Sequence, residues 1–166
     1  MRILVCSDSH AFLSFMRYAV KKIKPNGIIH LGDHYEDGQV LAQENPKLPF
    51  LQVPGNCDRY RCPEGVSQIL TCSLGGVRFF LTHGHLHQVK TGIGGFLADA
   101  RRANGQVALY GHTHRAFCAQ EPDGLWVMNP GACNTYSGSV GLITIVDNVV
   151  AECRILTMAE LDELEP

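Results

Sequence analysis

The chain has 166 residues, of which 45% are hydrophobic and 18% charged, and its formal net charge is −2. A chain of this length can bury a core, and we expect one domain over residues 1–166. The composition excludes an intrinsically disordered chain. Lysine and arginine form no stripe, so the sequence predicts no clear nucleic-acid surface, but it is compatible with a small anionic substrate.

The cysteines and the apolar segments bear on the cellular compartment. There are seven cysteines, an odd number without C-x-x-C spacing, which argues against a disulfide framework and against a zinc knuckle. The first apolar run is too short for a signal peptide, and no apolar stretch approaches the roughly 20 residues that span a bilayer. We therefore expect a cytoplasmic protein with reduced thiols and no membrane contact. A homo-oligomer is compatible with these features.

The first third of the chain alternates short apolar runs with segments of helical periodicity. Each apolar run ends at a polar or glycine-containing cluster, and each helical segment ends near a proline. Two successive strand–helix–strand crossovers predict parallel strands. The predicted elements are strands over 3–6, 27–31 and 49–53 and helices over 12–24 and 37–45.

After residue 58 the pattern changes to hairpins, with turns at 75–76, 122–124 and 147–148. One further helix is predicted over 89–103, and an acidic tail, 157–166, is predicted to be helical behind a Thr157 cap. The mixture predicts an α/β protein in which two sheets pack face to face with helices outside. The predicted strands cover 67–73, 77–81, 107–110, 117–120, 125–128, 142–146 and 149–155.

Every cluster of aspartate, asparagine and histidine follows one of the apolar strands. The carboxyl ends of parallel strands lie at one edge of a sheet, so the loops that carry these clusters can converge. Each motif taken alone also fits an ordinary turn, a helix cap or a buried histidine, and only the five clusters together favour a binding site. The candidate donors are Asp8, His10, Asp33, Asn56, His83, His112 and His114.

The chemistry of these donors points to divalent metals. Carboxylate and amide oxygens with imidazole nitrogens suit Mn, Ni, Fe, Co or Zn. Seven donors are too many for one tetrahedral ion, but they suit two adjacent ions that share a carboxylate, an arrangement that clamps a phosphoryl group. We therefore expect two divalent ions per chain, with manganese as the first choice.

The order of the motifs, D-x-H, G-D, G-N, H-G-H and G-H-x-H, resembles that of the calcineurin-like metallophosphoesterases. The resemblance is to their small bacterial and archaeal phosphodiesterase branch, and it extends from Arg2 to about Ile155. The segment Asn129-Pro130-Gly131 is similar to the one that follows the last ligand motif in that branch. The resemblance implies a two-sheet αββα sandwich.

The same resemblance implies a ligand set and a reaction. It gives the first metal Asp8, His10, Asp33 and His114, and the second metal Asp33, Asn56, His83 and His112, with Asp33 as the bridge. It implies a phosphodiesterase that acts on small diesters through a metal-bridging hydroxide. In this reaction Asp33, Asn56 and His83 are the catalytic residues, because Asn56 and His83 help to hold the charged group.

One position departs from the pattern of many family members. They have a histidine directly after the asparagine, where it is thought to protonate the leaving group, but this chain has Cys57. A thiol is a poor acid for an alkoxide, so we expect diesters with good leaving groups to react fastest. The branch that this chain most resembles also has cysteine there, and Cys57 also fits a small packed residue.

Several neighbouring residues have two open interpretations. His34, His85 and Arg115 could contact the substrate or support a ligand, as could Cys57, but solvated histidines and a salt bridge for Arg115 fit equally well. His30 precedes the G-D motif within a strand and could orient a ligand from the core.

Two other functions fit the same fold. The fold resembles that of a trafficking subunit in which the site is degraded and a surface patch binds partners, so a non-catalytic binding module is one alternative. A phosphomonoesterase or nucleotidase is the other, because pocket walls rather than ligands select the substrate. All seven ligand positions are filled in this chain, which disfavours the binding module.

Overall fold

The computed structural model describes residues 1–164, and the last two residues of the predicted acidic tail lie outside this range. Two single-turn 3-10 helices, Asn56–Asp58 and His85–His87, accompany the regular elements. The helices are α1 (Leu13–Ile23), α2 (Tyr35–Glu44), α3 (Gly94–Arg102) and α4 (Met158–Asp162). The strands are β1 (Arg2–Cys6), β2 (Gly27–His30), β3 (Phe50–Gln52), β4 (Ile69–Leu74), β5 (Val77–Thr82), β6 (Val107–Leu109), β7 (Phe117–Gln120), β8 (Trp126–Asn129), β9 (Ser139–Val146) and β10 (Val149–Thr157).

The strands form two five-stranded sheets. The first has the order β10-β9-β1-β2-β3 and the second β4-β5-β6-β8-β7. In the first sheet β1, β2 and β3 are parallel, as the crossovers predict, and β9 joins β1 antiparallel. In the second sheet β5, β6 and β8 are parallel. Each sheet therefore brings several strand carboxyl ends to one edge.

Successive side chains of each strand point to opposite faces of its sheet, and this alternation produces four layers. In β1, Ile3 and Val5 pack in the core between the two sheets, whereas Leu4 packs against Phe15 of α1 on the outer face. On the second sheet, Phe80 faces outward and packs with residues of α3. The layers are thus helix, sheet, sheet and helix, which confirms the predicted αββα sandwich.

Two predicted helices differ from the structure at their ends. The helix predicted over 89–103 is wrong at its start, because α3 begins only at Gly94. Gly92 has φ of 158°, far from helical backbone, and a glycine costs about 1 kcal/mol relative to alanine inside a helix. The tail predicted to be helical over 157–166 is wrong at its end, because α4 stops at Asp162 and residues 163–164 are not helical. The predicted cap is present, since the Thr157 hydroxyl accepts from the Glu160 N–H and the Thr157 N–H donates to the Glu160 carboxylate.

Within residues 1–164, no helix has both the length and the apolar character required to cross a bilayer.

Candidate metal centre

The loops after five parallel strands meet where the two sheets join. Two groups of donor atoms form there, and the atoms of each group lie within 4.8 Å of one another. Asp33 belongs to both groups. The first group contains Asp8, His10, Asp33 and His114, and the second contains Asp33, His83 and His112.

The backbone of these loops is held in an uncommon conformation. Five of the seven candidate donors have φ between 44° and 67°, the left-handed region. This conformation costs a non-glycine residue about 1 kcal/mol, so it persists only where the surrounding structure imposes it. Strain of this kind clusters at functional sites. The five residues are Asp8, His10, Asp33, His112 and His114.

Asp8 is fully buried, and its two oxygens have different surroundings. Oδ2 accepts hydrogen bonds from the Ser7 hydroxyl (2.6 Å) and the His112 N–H (3.1 Å). Oδ1 lies 3.1 Å from His114 Nε2. The approach of the two loops requires glycine at 111, because a Cβ there would lie 2.0 Å from Ser7 Oγ. One carboxylate oxygen is therefore fixed by the chain and the other is directed at the histidines.

Asp33 occupies the centre of the cluster and is almost fully buried. Its Oδ1 accepts the Cys57 N–H (2.9 Å), and its Oδ2 lies 3.5 Å from His83 Nε2 and 3.9 Å from His10 Nε2. Burial by itself would raise the pKa of Asp33, but the contact with His83 and the Cys57 N–H outweigh it and hold this pKa well below its usual range. Asp33 is therefore a carboxylate at neutral pH.

His83 is buried and oriented by one hydrogen bond. Its Nδ1 donates to the Leu31 carbonyl (2.8 Å), which directs Nε2 toward Asp8 and Asp33. Burial by itself would lower the pKa of His83, but these two carboxylates raise it overall.

Two buried atoms at this place, His83 Nε2 and Asp8 Oδ1, form no hydrogen bond of acceptable geometry within residues 1–164, although other donors of the cluster lie close to them. Buried polar atoms are normally paired, since an unpaired one costs about 1–3 kcal/mol. Both atoms are metal-binding types and face the same space. The residues therefore fit a divalent cation.

The remaining donors are more accessible to solvent. His112 is half-buried, and desolvation together with the charges of His83 and Lys90 lowers its pKa to about 4. Its imidazole is consequently neutral at pH 7, the form that binds metals. His10 and His114 are exposed, and their Nε2 atoms lie 3.3 Å apart. The cluster thus has a buried floor and an open face.

Asn56 and Cys57 lie at the open face, in the 3-10 turn after β3. Both are exposed, and Asn56 Nδ2 lies 3.4 Å from Cys57 Sγ. The turn is tied to the cluster through the Cys57 N–H described above. Desolvation and the charge of Asp33 raise the pKa of the Cys57 thiol, so it is protonated at neutral pH.

Asp58 supports the cluster, and the sequence did not reveal this role. It is fully buried, and its carboxylate accepts four backbone N–H groups at 2.7–2.9 Å. Three of them belong to residues 33–35 at the start of α2 and the fourth to Gly55. Asp58 therefore joins the Asp33 loop to the Asn56 loop. The available signal was a carboxylate at the end of the G-N-C-D cluster.

Asn129 supports the G-H-T-H loop, Gly111–His114, in a similar way. Its Nδ2 donates to the Gly111 carbonyl and to Thr113 Oγ1, both at 2.9 Å, and its Oδ1 accepts the Gly131 N–H. The N-P-G segment was the signal for this residue. Its role was not predictable, because it depends on contacts with residues 16 and 18 positions earlier in the chain.

His30 is buried behind the first loop, and its Nε2 lies 3.3 Å from Ser9 Oγ. The Ser9 hydroxyl also donates to Asp37 Oδ2 (2.7 Å), and Asp37 accepts the Ala11 N–H (2.8 Å). His30 and Asp37 thus hold the loop that carries Asp8 and His10. Burial lowers the pKa of His30 to about 4.

The other histidines lie at different distances from the cluster. His34 Nδ1 is 3.2 Å from Asp37, and its Nε2 is 2.7 Å from Arg61. The half-buried His85 ring is centred 5.5 Å from that of His83, and partial burial and the charge of His83 lower its pKa. His87 points toward α3, with Nε2 3.2 Å from Asp99.

The chain is similar to known phosphoesterases over most of its length. Residues 1–148 match the calcineurin-like phosphoesterase superfamily domain, and the chain belongs to that family. The predicted family is therefore confirmed.

Individual relatives cover almost the whole chain. Phosphodiesterase MJ0936 of Methanocaldococcus jannaschii is 29% identical over 174 residues, which cover 95% of this chain and 99% of that protein. A Streptococcus pneumoniae structure described as a predicted phosphoesterase has a TM-score of 0.74 at 22% identity, covering 95% of this chain and 90% of the other. Vps29 of Chaetomium thermophilum has a TM-score of 0.70 at 18% identity, covering 95% and 97%.

Proposed function

We propose that the protein is a binuclear metal-dependent phosphodiesterase that hydrolyses small diesters with good leaving groups. The observation that carries this proposal is the position of Asp33 in both donor groups. Two ions held by these groups would share its carboxylate. The first ion would be held by Asp8, His10, Asp33 and His114, and the second by Asp33, Asn56, His83 and His112.

When bound, such a pair of divalent ions neutralises the charge of a phosphoryl group and lowers the pKa of water. The chain itself orients the ligands and keeps solvent from the buried side of the cluster. Asp8, Asp33 and His83 form the buried floor, while His10, His114 and Asn56 lie on the exposed side, from which a diester would approach. Asn56 would then contact a non-bridging phosphoryl oxygen through its amide.

Nitrogen and oxygen donors support manganese as the metal, with nickel, iron, cobalt and zinc as the other candidates. A thiolate ligand would instead favour zinc or copper(I). The Cys57 thiol is protonated at neutral pH, so it offers no thiolate, and the Cys57 backbone N–H donates to Asp33.

The preference for good leaving groups follows from residue 57. A leaving alkoxide needs a proton in the transition state, whereas an aryloxide leaves without one. A thiol at the exposed position of Cys57 is a weak acid, so the chain is equipped for aryl esters rather than for alkyl monoesters.

A non-catalytic binding module is the second candidate, favoured by the similarity to Vps29, which supports the shared fold. Two observations weigh against it. The buried atoms Asp8 Oδ1 and His83 Nε2 lack partners within residues 1–164, and five donors keep left-handed backbone. A chain without a metal site would gain stability by relaxing these features.

The test compares two substrates with metal-free and manganese-loaded protein. We expect manganese to start the hydrolysis of bis(p-nitrophenyl) phosphate, while glycerol phosphate reacts at least about 100-fold more slowly because its alkoxide leaves poorly. The variants Asp33→Asn and His112→Ala should each lose at least about 100-fold in turnover. Full activity in both variants would refute the assignment.

The matched control is His87→Gln, which changes a histidine that contacts Asp99 outside both donor groups. It should keep most of the activity. Equal rates on the two substrates would show that another group, such as His85 or His34, supplies the proton to the leaving group. Faster hydrolysis of glycerol phosphate would show a monoesterase, and no hydrolysis of either with any of the five metals would favour the binding module.

A further inference from the structure

A cavity of about 520 Å³ adjoins the G-H-T-H loop. Thr113, which lies between the proposed ligands His112 and His114, forms part of its wall. A group bound in this cavity would therefore lie beside the loop that carries two of the proposed metal ligands. The residues that give the cavity its character are Val89, Lys90, Tyr110, Thr113, Arg115 and Phe117.

The cavity contains two cationic side chains without acidic partners. Most exposed arginines of this protein lie beside a carboxylate, as Arg17 does beside Glu44 and Arg101 beside Asp123. Arg115 has no carboxylate within 4.0 Å among residues 1–164, and neither has Lys90, so the chain neutralises neither charge. Two unpaired cations in one cavity form a favourable environment for an anion.

The same cavity presents an apolar surface next to these charges. The Phe117 side chain is 41% exposed, whereas Tyr110 and Val89 are buried. An exposed phenylalanine beside a concave surface provides a face on which a planar ring can stack. The cavity thus combines a site for negative charge with a site for a flat ring.

A second cavity, on the Asn56 side of the cluster, has a different character. Its volume is about 410 Å³, and its lining includes Arg59, Glu64 and His85. Because it contains an acidic as well as a basic side chain, it does not favour a negatively charged group. The two sides of the metal centre are therefore chemically distinct, as the two arms of an asymmetric diester are.

We infer that the cavity with Lys90, Arg115 and Phe117 binds one arm of the substrate, and that this arm carries a second anionic group next to a planar ring. A phosphodiester of a nucleoside phosphate has this chemistry. The inference rests on the proposed function. Lys90 and Arg115 act in it as residues that determine specificity, because they contact the arm and not the reacting phosphorus.

The test uses two substrates that differ by one phosphate: the p-nitrophenyl ester of thymidine 5′-phosphate, with and without a 3′-phosphate. The leaving group and the ring are identical. We expect kcat/KM of the manganese-loaded protein to be about tenfold higher for the 3′-phosphorylated ester, because two cations would contact the added group. The variants Lys90→Gln and Arg115→Gln should each reduce this ratio, and the double variant should bring it close to one.

Arg59→Gln is the control, since it removes a positive charge from the other cavity. It should leave the ratio unchanged. An equal fall of the ratio in this variant, or a wild-type ratio near one, would overturn the inference.

Calorimetric titration with thymidine 3′,5′-bisphosphate separates this inference from the proposed function. If no ester is hydrolysed, the proposed function fails, but the titration still decides the inference. Binding that weakens in the double variant would support the cavity, and absent or unchanged binding would refute it.

Discussion

Asp58 connects two loops of the metal centre without belonging to either donor group. All four of its hydrogen bonds come from backbone N–H groups, so both carboxylate oxygens must be acceptors. In Asp58→Asn an amide group would face some of these donors. We expect this nearly isosteric change to lower the free energy of unfolding by about 2–4 kcal/mol and to weaken manganese binding, as measured by urea denaturation and by metal titration.

Asp147→Asn is the control for Asp58→Asn. Asp147 lies exposed in the turn between β9 and β10 with φ of 49°, a conformation that asparagine also adopts. It should alter the unfolding free energy by less than about 0.5 kcal/mol. Equal effects of the two substitutions would contradict the role of Asp58.

His30 makes the stability of the folded chain depend on pH. Its pKa is about 4 in the folded protein and 6.5 when unperturbed, so the unfolded chain binds the extra proton as pH falls through this interval. The contribution of neutral His30 to the free energy of unfolding is fully present above pH 6.5 and is lost progressively toward pH 4. Urea denaturation of chelator-treated protein measures the free energy of unfolding at pH 7 and at pH 4.5. We expect the decrease between these two pH values to be about 2 kcal/mol smaller in His30→Gln than in the wild type. The same loss in both proteins would exclude this role.

The candidate donors and their supports differ in how far the sequence predicts them. The donors are recognisable because each follows an apolar strand, and the assignment of these residues as metal ligands stays a prediction. Asp58 and Asn129 act through backbone groups of loops that are distant in sequence. Their roles follow from three-dimensional proximity, which no local pattern contains.

At the scale of the elements, the predicted strands agree with the structure where a short turn fixes both partners. The hairpin β4–β5 turns at Gly75-Gly76, and both residues have positive φ. The predicted start of α3 was wrong because helical spacing of apolar residues continued through Gly92, and spacing alone carries no penalty for glycine. Periodicity therefore located the elements better than it located their ends.

The loop after β6 depends on the end of β8 for its shape. Asn129, the last residue of β8, holds Gly111 and Thr113 on either side of His112. In Asn129→Ala the loop would lose both contacts, and we expect manganese affinity to fall about 10–100-fold through misplacement of the two histidines. Metal titration checks the affinity, and circular dichroism checks the fold.

The control is Asn134→Ala, which alters a half-buried asparagine with no side-chain hydrogen bond among the described residues. Its manganese affinity should equal that of the wild type. An Asn129→Ala protein that binds manganese normally would show that the loop holds its shape without this residue.

At the scale of the whole molecule, the proposed metal centre joins the two sheets. Asp8, His10 and Asp33 follow strands of the first sheet, and His83, His112 and His114 follow strands of the second. Metal binding should therefore oppose unfolding of the entire chain. At 100-fold excess over the dissociation constant, we expect manganese to add about 2.7 kcal/mol to the free energy of unfolding.

Thermal denaturation with manganese and with a chelator measures this effect. Asp33→Asn should abolish the shift in melting temperature, because it alters the carboxylate common to both donor groups, and Asp147→Asn should preserve it. A shift of the same size in Asp33→Asn would mean that manganese binds elsewhere.

The layered architecture was predictable from the sequence, but the order of the strands was not. Alternating and continuous apolar runs indicate two packed sheets, and the crossovers indicate their parallel parts. Nothing local determines that β9 inserts between β10 and β1. This pairing joins Arg2 to Thr144, and the spacing of apolar residues along the chain does not indicate which distant strands pair.

The position of β9 has a consequence for synthesis on the ribosome. β1 pairs with β2 soon after both emerge, but its other edge is covered only when residues 139–146 have left the exit tunnel. Until then the nascent chain exposes an unpaired, strongly apolar edge, which is a template for aggregation. A chaperone that shields this edge would have to act until β9 emerges, and stalled chains that end before β9 should be its preferred clients.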